Sequence, residues 1–321
     1  MIENPIFIVG APRSGTTLLR NILNRHPSLA ICGETQFNHW IYRRRRAFGD
    51  LSQLVHRKPI VEAYLATMCV QRLHADLSIL RDKLLRDAVS YRTFFAVILE
   101  WYAESEGRTR CGEKTPQHAV LAETFCEWFP GATILHLVRD PRDVVASMLL
   151  KSWGFRSAVK NAQAWLRLNQ AALRSRHRPE YLLVKYEELV HQPEHELKRI
   201  CTFLGEDYFP SMLEPEPTAE QTDPPRLSRQ RITRQRVGRW REQLTKDQVA
   251  QAEWVTKPLL ESFGYQPTVA GISARTKLQG LSVAALDAVR KQIEHFPSIW
   301  YYLAQPTQMA KEEACRHRRG R

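Results

Sequence analysis

The sequence predicts an α/β fold, a parallel sheet flanked by helices. Three observations carry that reading. Short apolar runs at 6–9, 132–138 and 181–184 have the pattern of strands buried on both faces. Helix-like segments follow them, and strand–helix alternation is the mark of a sheet covered on both sides. A small-residue turn, Gly10 to Thr17, joins the first strand to its helix.

In chain order, Ile6-Phe7-Ile8-Val9 is the first strand, ending at Gly10. The helix after the turn has Leu18, Leu19, Ile22 and Leu23 on one side and stops at His26-Pro27. Leu29 to Cys32 is a second short strand, followed by Gly33-Glu34-Thr35. Residues 36–108 are charged and lack strand alternation, with amphipathic helices expected at 59–73, 75–90 and 92–105, a helical insert beside the sheet. Thr109 to Pro116 reads as a loop, and 118–128 as a helix closed by Pro130-Gly131. Ala132 to Val138 is the best strand; Asp140 is a good N-cap and Pro141 a good first residue for the helix through Leu150. A long helix at 157–176, a strand at Tyr181 to Val184 and a helix from Pro193 to about Leu204 follow. Residues 214–235, rich in Pro, Arg, Gln and Thr, read as extended. Helices are expected again after Trp240 and at 275–304, and the chain closes on a basic tail.

Composition bounds the answer without choosing it. The 321 residues suit one large α/β domain with a helical appendage, here 1–270 and 271–321. No run of eighteen apolar residues suggests a membrane span, and the N-terminus lacks a signal-peptide pattern, so a cytoplasmic protein is expected. Six scattered cysteines without a CxxC pair suggest free, mostly buried thiols and no metal site. The net charge of +13, with clusters at Arg43–Arg46, Arg226–Arg241 and His317–Arg321, favours anionic partners.

The turn carries the functional argument. In Gly10-Ala11-Pro12-Arg13-Ser14-Gly15-Thr16-Thr17, two glycines bracket a window whose amides can curl round an anion at a helix N-terminus. The spacing is that of a P-loop, and the fold is therefore expected to be P-loop NTPase-like. Thr16 stands where such loops carry lysine, and the cation sits earlier, at Arg13. The loop is shaped for a 5′-phosphate with one transferable group beyond it, without a triphosphate–metal apparatus. Arg139 leaves the end of the best strand, at the carboxyl edge where open α/β sheets bind ligands, and Ser147 lies on the next helix. An arginine fork with a hydroxyl makes a second phosphate clamp, so the pair of sites describes a ligand with both 5′ and 3′ phosphates.

These segments resemble the family of sulfotransferases that depend on 3′-phosphoadenosine 5′-phosphosulfate (PAPS). The run Pro12 to Leu19 is similar to its 5′-phosphosulfate loop, in the arginine form of the tyrosylprotein and many carbohydrate and bacterial members, and Leu137 to Ser147 is similar to its 3′-phosphate site. The resemblance extends from about residue 5 to 265. It implies PAPS as co-substrate, held by Pro12, Arg13, Ser14, Gly15, Thr16, Thr17, Arg139 and Ser147, with Tyr186 near the nucleotide. It places a closing loop at Gly238-Arg239-Trp240, with Arg239 the candidate over the 3′-phosphate and Arg234 and Arg236 the neighbouring alternatives.

Moving a sulfuryl group to a hydroxyl requires a base for the acceptor proton and a cation for the leaving phosphate. By resemblance to the tyrosylprotein type, Glu34 is the expected base, Arg13 neutralises the leaving phosphate and Lys114 adds a second charge. His118 is the rival base, although Pro116 occupies the place where small-molecule members carry their histidine; otherwise it reads as a surface histidine. Two other readings remain: a P-loop kinase or NTPase, which predicts a lysine before Thr17, and a non-catalytic nucleotide-binding protein, which gains from the charge. Partners are then a hydroxyl-bearing acceptor (carbohydrate, lipid, metabolite or tyrosine) and, through the basic clusters, a membrane periphery; nucleic acid is not expected, for want of a recognition signature.

Overall fold

The structure is a computed structural model that describes residues 2, 4–73, 76–214 and 232–290. Its centre is a five-stranded parallel sheet in the order β2-β3-β1-β4-β5. The strands are β1 (Ile6–Gly10), β2 (Leu29–Cys32), β3 (Arg110–Lys114), β4 (Thr133–Val138) and β5 (Tyr181–Lys185). The expected α/β class is what forms, with helices on both faces.

The strand period of two sorts β1 between two cores. Phe7 and Val9 face a cluster of stacked aromatics, with Phe7 against Phe125 at 4.3 Å and Phe37 against Phe95 at 4.6 Å. Ile6 and Ile8 face the other side, where Leu19, Ile22, Leu137 and Val184 pack. Residues 36–108 are helical where described, as expected, with main helices at Leu54–Leu65, Leu77–Asp87 and Tyr91–Ser105. The last of these shares the aromatic core through Phe94, Phe95 and Ile98, so it covers the sheet rather than standing beside it.

One element departs from the sequence reading. Arg110–Lys114, expected to be a loop, is an inner strand paired with β2 through Cys32↔Glu113 and with β1 through Ile8↔Lys114. Glu113 and Lys114 are unusual tenants of a buried strand, at 1% and 3% exposure. Each is matched by specific partners, and that is how the sheet tolerates their burial.

Helix Pro141–Leu149 starts as expected, with Asp140 accepting from the Arg142 amide at 2.9 Å. Residues 274–290 are helical and dock through Asp287, whose Oδ2 accepts from the amides of Arg156 at 2.8 Å and Ser157 at 3.3 Å. The five described cysteines are free, and all but Cys69 are buried. The extended segment read over 214–235 falls mostly outside the described residues, as do Cys315, Arg226 and the basic tail. No helix among the described residues is long and apolar enough to cross a membrane.

Candidate active site

The parallel strands deliver the chemistry to one edge. Gly10, Cys32, Lys114, Val138 and Lys185 are the last strand residues, so the Gly10–Thr17 turn, Glu34, Lys114, Arg139 and Tyr186 all leave the sheet at its carboxyl edge. Of these, the turn, Glu34, Arg139 and Tyr186 border a cavity of about 360 Å³, and Lys114 lies behind Glu34.

The turn is built as the spacing predicts. A Cβ on Gly10 would lie 2.3 Å from the Leu137 carbonyl oxygen, so only glycine can pass this close to β4. Gly15 has φ of +99° and abuts the Tyr186 ring. Arg13 sits at φ of +71°, a left-handed conformation that costs a non-glycine residue about 1–2 kcal/mol and is characteristic of functional loops. Helix α1 (Thr16–Leu23) begins without a side-chain cap, so its first amides stay open toward the cavity that Thr16, Thr17 and Leu18 line.

Arg13 and Ser147 meet directly: Arg13 Nε donates to Ser147 Oγ at 3.0 Å. The hydroxyl read as part of the second phosphate clamp therefore orients the first-loop arginine. Burial, then Arg236 and Arg139, pull the Arg13 pKa below its usual value, and Glu34 opposes them. Three arginines crowding one cleft is an arrangement that an anion would relieve.

Arg139 is 7% exposed and lies over the Tyr186 ring at 4.5 Å. Its guanidinium donates to the carbonyls of Arg13 (3.2 Å) and Arg236 and reaches Asp143 Oδ2 at 3.4 Å. Asp143 in turn accepts from the Gly238 amide at 2.8 Å and the Trp240 amide at 3.0 Å, pinning the Gly238–Trp240 loop beside Arg139. Within that segment Arg236, not Arg239, lines the cavity; Arg239 is exposed. Arg139 Nε and Ser14 Oγ are buried without a protein partner, the kind of orphaned donor that a phosphate oxygen satisfies.

On the opposite wall stands an ion pair. Lys114 Nζ donates to Glu34 Oε1 at 2.6 Å, and Gln36 Nε2 donates to Glu34 Oε2 at 2.9 Å. The Lys114 side chain is 4% exposed and that of Glu34 40%, so the carboxylate faces the cavity and the ammonium lies behind it. Burial lowers the Lys114 pKa, and Glu34 counteracts this. Glu34 is the only acidic side chain among the described residues lining the cleft.

His118 is placed differently from either sequence reading. It is fully buried. Nδ1 lies 3.1 Å from Glu113 Oε2, and Nε2 accepts the Asn38 amide at 3.1 Å. An amide can only donate, so Nε2 carries no proton and Nδ1–H donates to the carboxylate. Burial alone would push Glu113 up, but His118, Thr115 and Thr35 together hold it below the usual carboxylate range. Sequence reasoning missed Glu113, Gln36 and Trp153, which also lines the cavity. A carboxylate next to Lys114, in a run that reads as a loop, was the one available signal.

The model of the sulfotransferase family matches residues 5–210. Nodulation protein NoeE of Sinorhizobium fredii is 27% identical over 84% of this chain and 69% of that protein. Protein-tyrosine sulfotransferase A of Caenorhabditis elegans is 26% identical over 82% of this chain and 67% of its own. Among solved structures, the sulfotransferase domain of a Synechococcus olefin synthase aligns with a TM-score of 0.58 at 23% identity, covering 83% of this chain and 96% of that one, a likeness of fold.

Proposed function

The chain belongs to the sulfotransferase family, and from that premise we propose that it moves a sulfuryl group from PAPS to an acceptor hydroxyl, with Glu34 as the base. The observation that carries this reading is the shared sheet edge: a phosphate turn, a buried arginine with an unpartnered nitrogen, and a lone carboxylate bordering one cavity.

Pro12, Arg13, Ser14, Gly15, Thr16 and Thr17 would hold the 5′-phosphosulfate, with loop amides and the Ser14 hydroxyl as donors. Arg139, lying over Tyr186, would take the 3′-phosphate, and Arg236 is better placed than Arg239 to close over it. The acceptor oxygen attacks sulfur as the bond from sulfur to the bridging phosphate oxygen breaks. The acceptor proton passes to Glu34. As Glu34 is neutralised its hold on Lys114 weakens, and the ammonium becomes available to the charge growing on the leaving phosphate, beside Arg13. The products are the sulfated acceptor and adenosine 3′,5′-bisphosphate.

His118 is a poor base, because its one lone pair is spent on Asn38 and the ring is sealed from the cleft. The acceptor is a hydroxyl compound such as a carbohydrate, lipid, metabolite or tyrosine, and relatives named as protein-tyrosine sulfotransferases make the phenol the first to try. Residues 1–270 form the catalytic unit in this account, with 271–321 an extension.

Transfer of labelled sulfate from PAPS to phenols, sugars and peptides tests the proposal, with Glu34→Gln as control. The variant is expected to lose turnover and keep its affinity for adenosine 3′,5′-bisphosphate. Turnover near wild type in that variant would remove Glu34 from the mechanism.

A further inference from the structure

Behind the Glu34–Lys114 wall lies a buried polar cluster that makes no contact with the cavity. Its hub is Glu113. Oε1 accepts from the Thr35 amide at 3.1 Å, from Thr35 Oγ1 at 2.9 Å and from Thr115 Oγ1, while Oε2 takes the His118 Nδ1–H. The far ring nitrogen of His118 accepts the Asn38 amide. Thr35 and Asn38 stand on either side of Gln36 and follow Glu34 closely.

The segment they belong to needs holding. Residues 33–36 have no regular secondary structure, and Gln36 sits at φ of +53°. Its backbone is secured by side chains instead: Glu113 and His118 take the two amides, and the Tyr64 hydroxyl donates to the Thr35 carbonyl at 3.0 Å. Successive strand residues point to opposite faces, so β3 sends Lys114 to the Glu34 carboxylate and Glu113 to the loop that presents it. One strand end fixes both members of the wall.

We propose that Glu113 and His118 form a positioning pair that sets the Glu34 loop, governing turnover and not the grip on the nucleotide. This rests on Glu34 being the base. The cluster is on the Glu34 side of the cleft and has no hydrogen bond to the Gly10–Thr17 turn or to Arg139 among the described residues, so the phosphate sites stand without it.

Glutamine at 118 offers an amide donor and a carbonyl acceptor and can replace both histidine bonds; leucine can replace neither. Water serves as the acceptor, and labelled sulfate released slowly from PAPS is the readout, with Glu34→Gln alongside. His118→Leu should release sulfate about 10- to 100-fold more slowly, the scale of a misplaced catalytic group, and His118→Gln should recover most of the rate. Both should bind adenosine 3′,5′-bisphosphate as wild type does in calorimetry. Nitrogen NMR of the histidine-labelled wild type should show the ring assigned by loss in His118→Gln as neutral, with the proton on Nδ1. A proton on Nε2 overturns the proposal even if the variants fold poorly. Equal loss of rate and of nucleotide affinity in His118→Leu also overturns it, as the mark of a merely structural role. If Glu34→Gln is inactive while His118→Leu keeps the wild-type rate, the positioning role falls and the base stands. If Glu34→Gln stays active while both His118 variants are dead, the base reading falls, and this proposal with it.

Discussion

Replacing Gly15 by alanine probes the joint between the two proposed phosphate sites. The added Cβ would lie 2.4 Å from Tyr186 Cδ2 and 2.9 Å from Cε2. Tyr186 is 3% exposed and carries Arg139 on its face at 4.5 Å, so the ring cannot swing into solvent, and any shift displaces Arg139. Two costs combine. The left-handed backbone at φ of +99° contributes about 1–2 kcal/mol, and overpacking against the ring about 1–3 kcal/mol. Gly205→Ala separates them: Gly205 has φ of +70° and nothing within 4 Å of its Cβ, so it bears the backbone cost alone. Thermal unfolding and calorimetry with adenosine 3′,5′-bisphosphate read both variants. Gly205→Ala should lose a little stability and no affinity. Gly15→Ala should lose more stability and, in the protein that remains folded, at least about tenfold in affinity, equivalent to 1.4 kcal/mol. Wild-type affinity in Gly15→Ala would refute the coupling of turn, ring and arginine.

Lys114→Met should lower turnover by about 10²–10³, the usual loss for one charge-stabilising donor, with a much smaller effect on nucleotide binding; a normal rate of labelled-sulfate transfer would rule out its role. Asp143→Asn leaves too few acceptors for the Gly238 and Trp240 amides and Arg139, so affinity for the bisphosphate should fall about tenfold or more in calorimetry. Acid should destabilise the fold through His136. Asn169 Nδ2 donates to the Trp165 carbonyl at 2.7 Å, which turns its Oδ1 to His136 Nε2 at 2.8 Å, while the Tyr181 hydroxyl faces Nδ1 at 2.6 Å. Burial then lowers the His136 pKa from 6.5 to about 4. Between those values the unfolded chain binds more protons, so stability falls as pH drops through the window and is unaffected by this group above it. Urea midpoints for wild type and His136→Gln should converge toward pH 4; parallel curves would contradict the assignment.

The legible parts of the fold were those where local pattern and tertiary role agree. β1, β4 and β5 are apolar because both faces are covered, and the glycines of the turn are dictated by backbone geometry, so each announced itself. β3 did not. Its Glu113 and Lys114 are held by Thr35, His118 and Glu34, and these polar contacts override the preference for apolar residues in an inner strand. The burial of His118 is hidden for the same reason, since its partner Glu113 lies in a run whose sequence reads as a loop. Arg139 could be placed because it follows a clear strand, whereas the choice among Arg234, Arg236 and Arg239 depends on a turn pinned by Asp143, 95 residues from Gly238. The sequence groups Ser147 with Arg139, and only the three-dimensional path of helix Pro141–Leu149 brings it to Arg13.

Calorimetric comparison of adenosine 3′,5′-bisphosphate with adenosine 5′-phosphate, on wild type and Arg139→Ala, bears most directly on the claim that one sheet edge grips two phosphates. The bisphosphate should bind the wild type more tightly, and Arg139→Ala should weaken it by about 30- to 1,000-fold while leaving the monophosphate nearly unchanged. No binding of the bisphosphate at millimolar concentration, or an equal loss for both nucleotides, would contradict it.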